Sequence, residues 1–162
     1  TEFSPNITMT RGMLVTVLYR MNGSPSVSGK TPFTDVRTDE WYSAAVLWAY
    51  QNSIVTGMSD TTFAPINNVT REQMTKMFYG YAEFMDYNTM AVADLSAFAD
   101  GGSVSSWAQT MMGWAVANSL IKGVQDGNAT YLRPQGVATR AEAAAILHRF
   151  DQWRVNAVVT GK

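Results

Sequence analysis

Cysteine is absent from all 162 residues, which excludes disulfides, thiolate nucleophiles and cysteine-bound metals together. Histidine occurs once, at His148. Charge is also scarce: Asp, Glu, Lys and Arg make up 15% of the chain, against roughly 25% in an average globular protein. The net charge of -1 gives no overall basic field to attract nucleic acid. No apolar run reaches the roughly 20 residues needed to span a bilayer. The chain opens at Thr1 without an initiator Met or a signal peptide, so export would require a targeting segment upstream.

Apolar residues are plentiful at 46%, enough for a sizeable core and too many for a disordered chain. The polar surface must then come largely from Ser, Thr, Asn and Gln, as is common outside the cell. Lack of cysteine fits a Gram-positive exterior, although cytosolic proteins share it.

Those apolar residues are arranged in a repeat. Trp48-Ala49-Tyr50-Gln51-Asn52-Ser53, followed by Gly57 and Asp60, returns as Trp114-Ala115-Val116-Ala117-Asn118-Ser119, followed by Gly123 and Asp126. Upstream stand Phe33-Thr34-Asp35 with Trp41, and Phe98-Ala99-Asp100 with Trp107. Downstream, Pro65 and Pro134 each precede a Thr-Arg pair, Thr70-Arg71 and Thr139-Arg140. The second copy carries a small insertion around Gly127-Asn128-Ala129. Phe3, Pro5 and Arg11 match Phe63, Pro65 and Arg71, so a third copy, of the downstream half alone, opens the chain. The chain therefore reads as residues 1–30, half a repeat plus linker; 31–86, a full repeat; 87–97, a linker; 98–154, a full repeat; and 155–162, a tail. The missing part of the first copy leaves two arms for three Thr-Arg helices. A bound fragment carrying that part, or self-association, is expected to cover the gap.

Periodicity supplies the fold. Four, seven, eight and eleven residues after each Thr come Leu14, Val17, Leu18 and Met21; Met74, Met77, Phe78 and Tyr81; Ala143, Ile146, Leu147 and Phe150. This is one apolar helix face written three times. Thr70 with Gln73, and Thr139 with Glu142, predict capping boxes. A second kind of helix is predicted from each of Trp41 and Trp107 to Asn52 and Asn118. Gly57 and Gly123 are expected at turns with unusual backbone angles. The fold class is all-α: a core bundle of three Thr-Arg helices with helix-loop arms.

Arg11, Arg71 and Arg140 each occupy the first position of a predicted helix, where a cation opposes the helix dipole. Such a placement, made three times, fits either an anion held at the helix N-terminus and by the arginine fork or an ion pair to Asp35 or Asp100. Thr70 and Thr139 read as N-caps. Trp41 and Trp48, seven apart, share a helix face, as do Trp107 and Trp114; both pairs read as core, or, alternatively, one member of each, with Trp48 and Trp114 as the candidates, lines a sugar site. Asp60 and Asp126 read as turn formers able to reach a sugar hydroxyl.

Catalysis finds no support in the residues. His148 aligns with Tyr19 and Tyr79, and Glu142 with Gln73 and Met13. Neither exchange would preserve an acid or base. No nucleophile elbow, phosphate loop or metal cluster is present, and Asp126-Gly127-Asn128 is too short for a calcium loop. No cofactor is expected.

The pattern Phe33-x-Asp35, Trp41-Tyr42, Ala45-Val46, Gly57, Asp60, Phe63-x-Pro65, Thr70-Arg71 resembles the S-layer homology domain, and Thr139-Arg140-Ala141-Glu142 matches its signature. The resemblance implies a pseudo-threefold spindle of three repeats on the surface of a bacterium. It also implies non-covalent attachment to secondary cell wall polysaccharide, often through pyruvylated N-acetylmannosamine. The arginine would meet the acidic ketal, and grooves between repeats would hold the sugar. The alternative is a protein-interaction or self-assembly module. Gly12 and Glu72 replace the signature alanine, while Met13 and Gln73 replace its glutamate. Because the Thr-Arg pair survives in every copy, these departures bear on helix capping more than on anion contact.

Overall fold

A computed structural model describes residues 7–159, with side chains to Val155. Phe3 and Pro5, part of the first half repeat, lie outside the described residues. Three helices begin at the three arginines: α1 (Arg11–Met21), α3 (Arg71–Phe84) and α5 (Arg140–Val159). Two shorter ones, α2 (Ser43–Gln51) and α4 (Gln109–Ala117), form the arms. The described chain is thus mainly helical. It is not wholly so, because β1 (Val124–Asp126) and β2 (Ala129–Tyr131) form an antiparallel hairpin. The insertion in the second copy supplies its turn, with Gly127 at φ 59°.

Local chemistry explains the boundaries. Thr10 and Thr70 accept hydrogen bonds from the amides of Met13 and Gln73, three residues on. Gln73 returns the bond to Thr70, and Glu142 does the same for Thr139 at 2.9 Å. Both predicted capping boxes are therefore formed, whereas Met13 leaves Thr10 with a one-sided cap. The arms stop at a repeated Asn-Ser pair. Asn52 and Asn118 donate from their side-chain amides to the carbonyls of Trp48 and Trp114 at 2.8 and 2.9 Å. Ser53 and Ser119 then turn left-handed, both at φ 58°. An orphan carbonyl is satisfied and the helix cannot continue.

Within the core, α1 packs on α2 and α3 on α4. Phe78 and Tyr81 of α3 meet Phe150 of α5, with ring centroids 5.2 and 5.8 Å apart. The segments before the helices interlock in a closed ring. Met9 donates to the carbonyl of Ala138, Ala138 to that of Val69, and Val69 to that of Met9, at 2.9, 3.1 and 2.9 Å. These three residues each stand just before a helix-capping threonine.

The two turn glycines differ. Gly123 has φ 77°, as expected of a left-handed turn, but Gly57 does not lie in that region. Space is what Gly57 requires: a β-carbon there would lie 2.2 Å from the Ser59 carbonyl oxygen and 2.6 Å from the Phe33 ring.

Candidate functional site

The helix N-termini have few amides to offer a ligand. Arg11 and Gly12 donate from the backbone to the carbonyls of Asn67 and Pro65, and Arg71 and Glu72 to those of Gly136 and Pro134. The Arg140 amide donates to the Ile7 carbonyl at 2.8 Å, and the capping threonines take a further amide of each helix. At α1 and α3 the first two helix amides are thus engaged by neighbouring loops, as is the first at α5. Thr70 and Thr139 are likewise committed to capping.

One cleft gathers cationic side chains. Arg11, the Val55–Met58 turn with Gly57, α3 residues Gln73 and Lys76, and Trp107 enclose about 250 Å³. Arg11 is 4% exposed. Its Nε donates to the Phe63 carbonyl at 2.8 Å and its Nη2 to that of Thr56 at 3.2 Å, while the guanidinium stands 4.6 Å from the Phe63 ring centroid. No carboxylate among the described residues pairs with it. Burial lowers its pKa to about 10, with Asp35 opposing the shift, so it stays cationic at neutral pH. Lys76 donates to the Thr56 hydroxyl at 2.9 Å and lies 5.4 Å from the Trp107 ring centroid. Its pKa is lowered by burial and then by Arg11.

Removing a cation from water costs on the order of several kcal/mol. Two carbonyl bonds at about 1.5–3 kcal/mol each, with a cation–π contact of about 0.5–2, offset much of that cost. They add no negative charge. The cleft is consequently cationic, with one aromatic wall.

The second cleft, about 140 Å³, has the same parts in the next copy: Arg71, the Ile121–Val124 turn with Gly123, and Glu142, Ala145 and Arg149 of α5. Arg71 repeats the grip of Arg11, with Nε donating to the Leu132 carbonyl at 2.8 Å. Here, however, Glu142 lies 3.1 Å from its Nη1. Burial lowers the Arg71 pKa and Glu142 opposes that shift, while Arg133 and Arg149 add to it. The ion pair left open by the sequence therefore exists at Arg71, with Glu142 as the partner in place of Asp100.

Asp35 and Asp100 have another task. Asp35 accepts from the amides of Phe63 and Ala64 at 2.9 and 2.6 Å, and Asp100 from those of Leu132 and Arg133, both at 2.7 Å. Ala64 and Arg133 are left-handed, at φ 59° and 52°. Each carboxylate fixes a left-handed turn with both oxygens, a scaffold task, and neither lines the clefts.

The tryptophans divide the same way. Trp48 and Trp114 are 3% and 0% exposed, packed on Tyr19 and Phe84 and on Tyr79 and Trp153. A buried indole cannot stack on a sugar, so of the two readings left open by the sequence, the core one describes both. Their helical-spacing partners, Trp41 and Trp107, reach solvent at 57% and 45% exposure, and Trp107 lines the first cleft. Asp126 pairs with Arg133 at 3.1 Å on the hairpin, and Asp60 is exposed; neither lines either cleft. Arg140 is half-buried and lines neither.

The sequence gives no ligand-facing role to Lys76, and it leaves open which indole of the Trp107 and Trp114 pair faces a ligand. Lys76 aligns with Thr16 and Ala145, so the repeat gives it no signal. Trp107 carried one: of two indoles at helical spacing, the one that begins the arm has no helix turn before it to cover it.

The S-layer homology domain family matches residues 32–75 and 97–144, the two full repeats. The chain is 33% identical over 91% of its length to the surface-layer 125 kDa protein of Lysinibacillus sphaericus, covering 12% of that protein. It is 31% identical over 91% of its length to an amylopullulanase of Thermoanaerobacterium thermosulfurigenes, covering 8% of it. To an endoglucanase of Bacillus sp. (strain KSM-635) it is 31% identical over 96% of its length, covering 16%. The chain thus spans a small fraction of each relative, in proteins whose names differ widely. With the family model covering more than half of the chain, the chain belongs to the S-layer homology domain family.

Proposed function

We propose that this chain anchors its parent protein non-covalently to a bacterial cell wall, by binding an anionic, pyruvylated secondary cell wall polysaccharide without turning it over. Family membership and surface-layer relatives support cell-surface anchoring. The observation that carries the finer reading is Arg11: a nearly buried cation with no carboxylate partner among the described residues, sharing a cleft with Lys76 and Trp107. A ketal carboxylate supplies the missing charge. The sugar ring, apolar on one face, suits the indole.

The finer architecture belongs to the same reading. The three arginine helices form a pseudo-threefold core, and the hydrogen-bonded ring of Met9, Val69 and Ala138 supports it. The repeats bounded at 31–86 and 98–154 each contribute an arm, and the chain works outside the cell, on a Gram-positive wall.

Co-sedimentation with purified wall polysaccharide, before and after acid removal of pyruvate, tests this function. Binding should require the pyruvate. Binding only to a protein partner, or to further copies of the chain, would replace the reading with an assembly module.

A further inference from the structure

The two clefts use equivalent parts but place different groups beside their arginines. The third residue of the following helix lines the same cleft as the arginine of the preceding one. In the first cleft that residue is Gln73, an uncharged amide bonded to the Thr70 amide and the Met58 sulfur, lining it with Arg11. In the second it is Glu142, whose Oε1 lies 3.1 Å from Arg71 while its Oε2 accepts from the Thr139 amide. Lys122 and Arg149 also line the second cleft, so its net charge is no lower. The difference lies at the buried guanidinium itself, where Coulomb energy is steepest. Among the residues lining the second cleft there is no aromatic wall.

Resting on the proposed function, we infer that the clefts are unequal sites, with Glu142 acting as an internal competitor for Arg71 and Gln73 leaving Arg11 open to an incoming carboxylate. An anionic sugar entering the second cleft must displace a carboxylate already in place. One entering the first displaces none. Residues 73 and 142 set this order, and either can be exchanged without losing the helix cap: Gln73 already forms the box that Glu142 forms.

The test is a nitrogen-15 NMR titration of the whole chain with the methyl glycoside of N-acetylmannosamine bearing a pyruvate ketal, and with the ketal-free glycoside as control. The Trp107 indole reports the first cleft and the Gly123 amide the second. In the wild type, Trp107 should saturate at lower ligand concentration than Gly123. Glu142→Gln should tighten the second site about fivefold, the weight of a half-exposed ion pair, and leave the first unchanged. Gln73→Glu should weaken the first site by a similar factor. Equal midpoints at the two reporters, or midpoints that ignore both substitutions, would overturn the inference and leave the binding function standing. Absence of shifts in every variant would overturn both.

Discussion

Arg11 and Asp35 hold the same residue from opposite sides: the Asp35 carboxylate accepts from the Phe63 amide at 2.9 Å, and the Arg11 guanidinium donates to the Phe63 carbonyl at 2.8 Å. Arg71 and Asp100 grip Leu132 identically, both distances being 2.8 Å or less. Each arginine is thereby tied to the arm through a turn that the aspartate fixes.

Removing Asp35 should therefore loosen the turn before it affects any ligand. Asp35→Ala leaves the Phe63 and Ala64 amides without their acceptor, at a cost of about 3–6 kcal/mol from two charged hydrogen bonds. Urea unfolding followed by far-ultraviolet dichroism should show that loss. Unchanged stability together with abolished glycan binding would return Asp35 to the ligand site.

The two indoles of a repeat should respond in opposite ways. Trp114→Ala empties a fully buried position and should cost about 3–5 kcal/mol of stability. Trp107→Ala, on an exposed wall, should leave the melting temperature nearly unchanged and weaken polysaccharide binding severalfold, the worth of a stacking and cation–π contact. Equal destabilisation by the two would show that Trp107 is structural.

Much of the scaffold was legible in the residues because it rests on short-range rules. The three helix starts follow from Thr-Arg followed by a regular apolar face, and the capping boxes follow from a partner three residues on. The site was less legible. Asp35 and Trp48 recur as faithfully as Arg11, and recurrence cannot separate a residue that holds a turn or fills the core from one that faces solvent. Lys76 enters the first cleft from the neighbouring repeat without recurring at all. The Arg71–Glu142 pair joins residues 71 positions apart, a contact that only the packing of α3 beside α5 creates. The hairpin at Val124–Tyr131 arises from an insertion, which has no counterpart to compare.

Gly57 should resist even the smallest substitution. Gly57→Ala sets a β-carbon 2.7 Å from the Thr62 carbonyl oxygen as well as against Ser59 and Phe33. Backbone must move, at about 1–3 kcal/mol, and the moving turn is the one whose Thr56 carbonyl holds Arg11. Thermal melting and glycan titration should fall together. A variant with wild-type stability would show that the turn has room the distances deny.

The central claim is that a buried arginine, held by two carbonyls and with no carboxylate in an ion pair with it among the described residues, binds a ketal carboxylate. Titration calorimetry with defined wall fragments, intact and after removal of pyruvate, reads that claim directly. The account predicts saturable binding that weakens at least about tenfold when the carboxylate is lost, as expected for a charged hydrogen bond of about 1.5–3 kcal/mol. Equal affinity for the two forms, or no binding of either, would contradict it.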